Sequence, residues 1–179
     1  MYDPKKYWEE RGDHYKAEED PNDFAILSDL AKNHGVQMIL EVGSGYGRIY
    51  KGFREKASSL NIPYFMCDFA ASMRLKCFES TNILPDSWDG VTLPYKDKTF
   101  DCVVSVNVML HVPPDKIEAF IKEHKRVAAR YLFVISGNQF SEPLAAHCFD
   151  HDYDRLLGEN HIMYKIAMFK ASKLWIVGI

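Results

Sequence analysis

The ten residues ILEVGSGYGR, Ile39 to Arg48, pass from an apolar run straight into glycines at positions 43, 45 and 47. Glycine lets a backbone turn sharply and lets a ligand approach the main chain, because no Cβ intervenes. In an open α/β sheet that turn sits at the carboxyl end of a strand, where ligands bind. The remainder of the chain repeats the same alternation. Short runs rich in β-branched and aromatic residues exchange with longer stretches of helical character, which implies a parallel sheet covered on both faces.

The pattern places a first strand over Val36 to Val42 and a helix over Tyr46 to Ser58. A second strand, IPYFMC, runs up to Asp68, and a helix follows from Ala71 to Ser80. A third strand has room only within ILPDSWDG, where Pro85 keeps it short or irregular. FDCVVSV reads as a buried fourth strand, PDKIEAFIKEHKRVAAR as an amphipathic helix and YLFVIS as strand five. MYKIAMFK and KLWIVGI read as a final strand pair joined by the turn ASK.

With 179 residues and 47% apolar content, the chain has enough material for one well-buried domain, expected to span residues 1–179. A formal net charge of -3 and the absence of any Lys/Arg-rich stretch give no footprint for nucleic acid. The charged, aromatic N-terminus lacks the apolar centre of a signal peptide, and no later run approaches a membrane span. No membrane association is expected, and the expected location is cytoplasmic. Cys67, Cys77, Cys102 and Cys148 are scattered without C-x-x-C spacing, as in reduced cytosolic proteins.

The glycine spacing carries chemistry. A dinucleotide fingerprint, G-x-G-x-x-G, needs glycine at position 48, where Arg48 stands, and Glu41 would face a pyrophosphate with like charge. Asp68, at the end of the second strand, can accept both hydroxyls of a ribose. Taken alone, it also reads as a helix N-cap. Together with the loop it favours a nucleoside without phosphates that carries a positive centre.

The segments EVGSGYGR, CDFAASM, WDGVTLPYKDKTFDCVVSVNVMLHVP and RVAARYLFVIS, taken in order, resemble the successive motifs of class I S-adenosylmethionine-dependent methyltransferases. The resemblance runs from Val36 to the C-terminus. It implies a Rossmann-like, doubly wound, seven-stranded, mostly parallel sheet with an antiparallel last strand, and S-adenosylmethionine as cofactor. It also implies that Glu41, Gly43, Ser44, Gly45 and Gly47 shape the site for the methionine part. Asp68 would hold the ribose, and Phe69 would pack on the adenine. Asp89 and Gly90 would lie at the adenine amino group, although Asp89 reads equally well as a turn residue. Asn107, ending the fourth strand, would present a backbone carbonyl to the ammonium group.

Residues 1–25 precede the sheet as an aromatic helical segment. Tyr7, Trp8, Arg11 and Tyr15 share one helical face, and similar methyltransferases close such segments over the cofactor. Trp8, Arg11 and Tyr15 are thus expected at the cofactor, against the alternative of an ordinary helix docked on the core.

The methyl acceptor is expected to be a small molecule with an oxygen or nitrogen nucleophile. No N/D-P-P-Y/F/W segment follows strand four, no Pro-Cys pair is present, and there is no large insertion. Where a proton must be removed, His147 is the first candidate, then His111, then His151. The i, i+4 spacing of His147 and His151 beside Asp150 and Asp154 could suggest a metal pair, but the glutamate of H-E-x-x-H is missing, so no metal is expected. His14, His34, His124 and His161 read as surface residues and the methionines as core. Two other functions stay open: a noncatalytic S-adenosylmethionine-binding or partner-binding subunit and, with Glu41 and Arg48 against it, a nucleotide-dependent oxidoreductase.

Overall fold

The computed structural model describes residues 2–12, 22–137, 145–166 and 172–179. Its centre is a seven-stranded sheet in the order β3-β2-β1-β4-β5-β7-β6. The strands are β1 (Ile39–Val42), β2 (Tyr64–Asp68), β3 (Asp86–Ser87), β4 (Phe100–Val106), β5 (Ala128–Gly137), β6 (His161–Ile166) and β7 (Ser172–Gly178). β1 to β5 pair in parallel, and β7 runs antiparallel to both β5 and β6. This is the doubly wound α/β sheet with an antiparallel last strand expected from the sequence.

The helices are α1 (Pro4–Arg11), α2 (Asn22–Asn33), α3 (Arg48–Lys56), α4 (Ala71–Thr81), α5 (Ile117–Val127) and α6 (Tyr153–Leu157). They cover both sheet faces, so central strands are buried on both sides: all four residues of β1 are buried. On one face Leu27 of α2, Phe53 of α3 and Cys77 of α4 pack with Met66 and Phe133. On the other, Phe120 and Ile121 of α5 and Leu157 of α6 pack with Val103 and Trp175.

Several boundaries differ from expectation for identifiable reasons. β1 starts at Ile39 because the N–H of Val36 still donates to the Ala31 carbonyl at the end of α2. α3 starts at Arg48 because Gly47, at φ 84°, turns the chain before helical geometry begins. α5 stops at Val127, since Ala128 pairs with Phe100 and Ala128 to Arg130 enter β5. The helical propensity of two alanines yields there to sheet pairing. β7 begins at Ser172, one residue before the expected KLWIVGI run, so Ser172 belongs to the strand rather than to the turn, and the link at 167–171 lies outside the described residues. His124 is fully buried, not at the surface; it lies on the inward stripe of α5 with Ile117, Phe120 and Ile121.

Candidate active site

The strand order reverses direction between β1 and β4, and such a switch point opens a crevice at the carboxyl ends of the strands. A cavity of about 750 Å³ lies there, lined by the turn after β1, the end of β2, the Trp88–Val91 segment, the residues after β4 and part of α1.

The three glycines of the β1 turn all hold positive φ, but each meets a different demand. A Cβ on Gly43 would lie 2.5 Å from Val108 Cγ2, so this glycine allows the chain after β4 to approach. A Cβ on Gly47 would lie 2.6 Å from Thr81 Cγ2 and 2.7 Å from Cys77 Sγ, so Gly47 lets α3 pack on α4 and does not line the cavity. Gly45 alone has nothing within 4 Å of its would-be Cβ and opens directly onto the cavity. Ser44 lines it too, with Oγ buried and lacking a hydrogen-bond partner among the described residues.

Asp68 is 5% exposed and serves local structure as well as the cavity. Its Oδ2 accepts from the Gly45 N–H at 2.8 Å and its Oδ1 from the Ala70 N–H at 2.9 Å. Burial pushes its pKa up to about 6, against those two N–H groups and the charge of Arg74. Glu41, 2% exposed, accepts from the Tyr64 hydroxyl at 2.9 Å. Burial pushes it up to about 8, opposed by the Tyr64 hydrogen bond and by Arg48 and reinforced by the Asp68 charge.

Phe69 and Gly90 face one another across one wall: a Cβ on Gly90 would lie 3.8 Å from Phe69 Cδ2. Asp89 is exposed, and its Oδ1 accepts from the Val91 and Thr92 N–H groups in an Asx turn that lowers its pKa. The turn and cavity readings of Asp89 therefore coexist, with Oδ1 spent on the turn. Asn107 lines the cavity at φ 53°, held by its N–H to the Ile135 carbonyl.

Helix α1 both docks on the core and roofs the cavity. Glu9 accepts from the Ala71 and Ser72 N–H groups at 2.8 and 3.0 Å, capping α4, while the Ser72 hydroxyl donates to the Trp8 carbonyl. From that anchor Trp8 reaches His111 edge-on at 4.9 Å between ring centres, and Tyr7 stacks on His147 at 4.5 Å. Arg11 sits outside the cavity, exposed, its guanidinium over the Tyr7 ring at 5.2 Å. Tyr15 lies outside the described residues.

His111, in the 3-10 turn Met109–His111 after β4, stacks with His147 at 5.3 Å. Its Nδ1–H donates to the His147 carbonyl at 2.9 Å, which leaves Nε2 as the accepting nitrogen. Burial holds its pKa down at about 4. His147 pairs at Nε2 with the Tyr7 hydroxyl at 3.1 Å; burial and the charge of Arg11 lower its pKa. His151 does not join them. It is buried away from the cavity, donating from Nε2 to the Val112 carbonyl at 2.9 Å, and so ties the segment after β5 to the turn after β4.

Trp88 and Cys148 are among the cavity residues not expected from the sequence. Trp88 is 8% exposed, with Nε1 lacking a partner among the described residues, and forms a wall beside Phe69 and Phe120. Cys148, half-buried, brings Sγ to 3.8 Å from His111 Nδ1. No spacing in the sequence signals that approach.

A model of the methyltransferase domain family matches residues 39–130, more than half of the chain. No curated protein matches the sequence significantly. Among solved structures, magnesium protoporphyrin IX methyltransferase from Synechocystis, with bound S-adenosylmethionine, superposes at a TM-score of 0.68 with 13% identity, over 99% of this chain and 98% of that one. An S-adenosylmethionine-dependent methyltransferase from Aquifex aeolicus gives 0.66 with 18% identity over 100% of both chains. Mitomycin 7-O-methyltransferase gives 0.67 with 10% identity over 89% of this chain and 54% of that one. At these identities the superpositions establish a shared fold.

The residues present fit the cofactor: Gly45 opens a cradle that a side chain would fill, Ser44 has a buried hydroxyl without a partner among the described residues, and two buried carboxyl groups line the cavity, which suits a ligand with a positive centre. The match over residues 39–130 and the cavity at the β1/β4 switch point together place this chain in the methyltransferase domain family, as a class I S-adenosylmethionine-dependent methyltransferase.

Proposed function

We propose that the protein transfers a methyl group from S-adenosylmethionine to an oxygen or nitrogen nucleophile of a small-molecule acceptor. The observation carrying this reading is that one roofed cavity contains both the Gly45/Asp68 cradle and the His111/His147 pair. Its volume, about 750 Å³, is within the roughly 300–1,000 Å³ usual for small-molecule sites. Two of the structural neighbours are named for small-molecule acceptors, a magnesium porphyrin and a mitomycin oxygen.

The sulfonium supplies an already activated methyl group. The chain's own task is to align and to exclude water. In this reading Glu41, Asp68 and the turn at Gly43 to Gly45 hold the donor, Phe69, Asp89 and Gly90 flank its adenine, and the backbone at Asn107 meets its ammonium. Trp8 closes the roof over the acceptor, which His111 and His147 contact. Arg11, stacked outside on Tyr7, supports the roof rather than the ligand.

Two measurements test this. Calorimetry should give saturable binding of S-adenosylhomocysteine and none of NADH. Incubation with methyl-labelled donor and a small-molecule extract should yield a labelled product. Tight S-adenosylhomocysteine binding with no transfer to any acceptor would leave a noncatalytic binding subunit instead.

A further inference from the structure

We infer that His111, His147 and Cys148 form a three-ligand site for a zinc-like divalent ion at the acceptor end of the cavity, with the fourth coordination position open to the acceptor. The inference rests on the acceptor end proposed above and adds an ion where none was expected. The pair suggested by spacing, His147 with His151, is not the one that forms, because His151 is tied to Val112 elsewhere.

One ring nitrogen from each histidine and the Cys148 sulfur all lie within 4.8 Å of one another. The three residues come from two separate segments, the turn after β4 and the loop after β5, and all three line the cavity. Each imidazole is held by an oxygen at one nitrogen, His111 by the His147 carbonyl and His147 by the Tyr7 hydroxyl. Such outer contacts fix ring orientation at metal sites. Tyr7 and Trp8 pack their rings against the same two imidazoles and limit access of water.

The donor set decides the ion. Two imidazoles and a thiolate with no carboxylate suit zinc and disfavour magnesium and calcium, which need oxygen ligands. Three protein ligands beside an open position are the arrangement of catalytic rather than structural zinc. An ion so placed can take a hydroxyl, amine or thiol of the acceptor as its fourth ligand and lower that group's pKa, with the proton released to solvent.

Cobalt(II) is the probe. Added to chelator-treated protein, it should bind one ion per chain and produce a thiolate-to-cobalt charge-transfer band with the visible absorption of four-coordinate cobalt. Cys148→Ser should abolish the charge-transfer band. His147→Ala should weaken binding by more than the about 10- to 100-fold typical of losing an outer-shell partner. Both changes fall on half-buried side chains, and far-ultraviolet circular dichroism checks that the variants fold. Absence of stoichiometric binding, or a charge-transfer band that survives in Cys148→Ser, overturns the site. Calorimetry with S-adenosylhomocysteine on the same metal-free samples reports separately on the cofactor reading.

Discussion

The N–H of Gly45 donates to Oδ2 of Asp68 across 2.8 Å, joining the turn after β1 to the end of β2. The carboxylate that faces the cavity thus also fixes the glycine that opens it. On the proposed function, Asp68→Ala removes a ribose acceptor and unfastens the Gly45 turn at once. Charge-assisted bonds of this kind are worth roughly 1.5–3 kcal/mol each, so S-adenosylhomocysteine affinity should fall about 10- to 100-fold. Asp68→Asn places an amide NH₂ against one of the two backbone N–H donors, so it too should weaken binding and lower the melting temperature. An unchanged dissociation constant beside a lowered melting temperature would reduce Asp68 to a local clamp.

The three glycines separate binding from folding. Gly45→Val inserts bulk into open cavity at φ 55° and should abolish cofactor binding; the left-handed strain costs only about 1–2 kcal/mol of stability. Gly47→Ala drives a Cβ into Cys77 and Thr81, so its main effect should be a lower melting temperature. Thermal denaturation and calorimetry on the pair would show opposite orders of severity. Equal losses of binding in both would contradict the division of roles.

Glu41 gives the protein a pH signature. Burial raises its pKa from the usual 4.5 to about 8, so between those values the folded chain holds a proton that the unfolded chain has lost. Stability therefore falls as pH rises through that window, and Glu41→Gln should flatten the decline in melting temperature. Asp68, at about 6, adds a smaller fall of the same sign at lower pH. A sulfonium favours the ionised carboxylate, so S-adenosylmethionine should bind more tightly as pH approaches 8, a trend that Glu41→Gln removes. A pH-independent affinity in the wild type would show that Glu41 does not feel the ligand's charge.

Glu9 holds the roof. Glu9→Ala uncaps α4, at a cost near the ~1 kcal/mol of a lost helix cap, and frees α1. Stopped-flow release of S-adenosylhomocysteine should accelerate while the sheet remains folded. Trp8→Ala, which leaves the cap in place, should accelerate release without changing the melting temperature as much. Deleting residues 1–12 should combine both effects. If release rates stay at the wild-type value in all three, α1 is a docked helix and no roof.

The sequence and the structure agree where one physical signal dominates. The runs ILEV and FDCVVSV are buried along their length, Asp101 only in part, and their density of apolar residues identifies them despite Glu41, Asp101 and Ser105. The positions of Gly45 and Asp68 follow from strand ends. Where two signals compete, the sequence misleads. His124 carries a polar label but occupies the apolar stripe of α5, seven residues from Ile117, and periodicity outweighs residue type. Gly47 belongs to the motif by spacing, yet its neighbours are Cys77 and Thr81, which only tertiary packing brings there. Cys148 meets His111 across 37 positions of sequence, a separation at which local pattern carries no information.

The sheet's two flanks differ in how they would meet another chain. β3 has two residues, preceded by Pro85 and carrying the exposed Asp86, so this edge offers almost no backbone for a foreign strand to follow. β6, at the other edge, offers six residues, with Ile162 and Tyr164 exposed. Among the described residues, the β6 flank is therefore the edge that a foreign strand could follow. The β3 flank, beside β2 and the Asp68 end of the cavity, is protected from such addition.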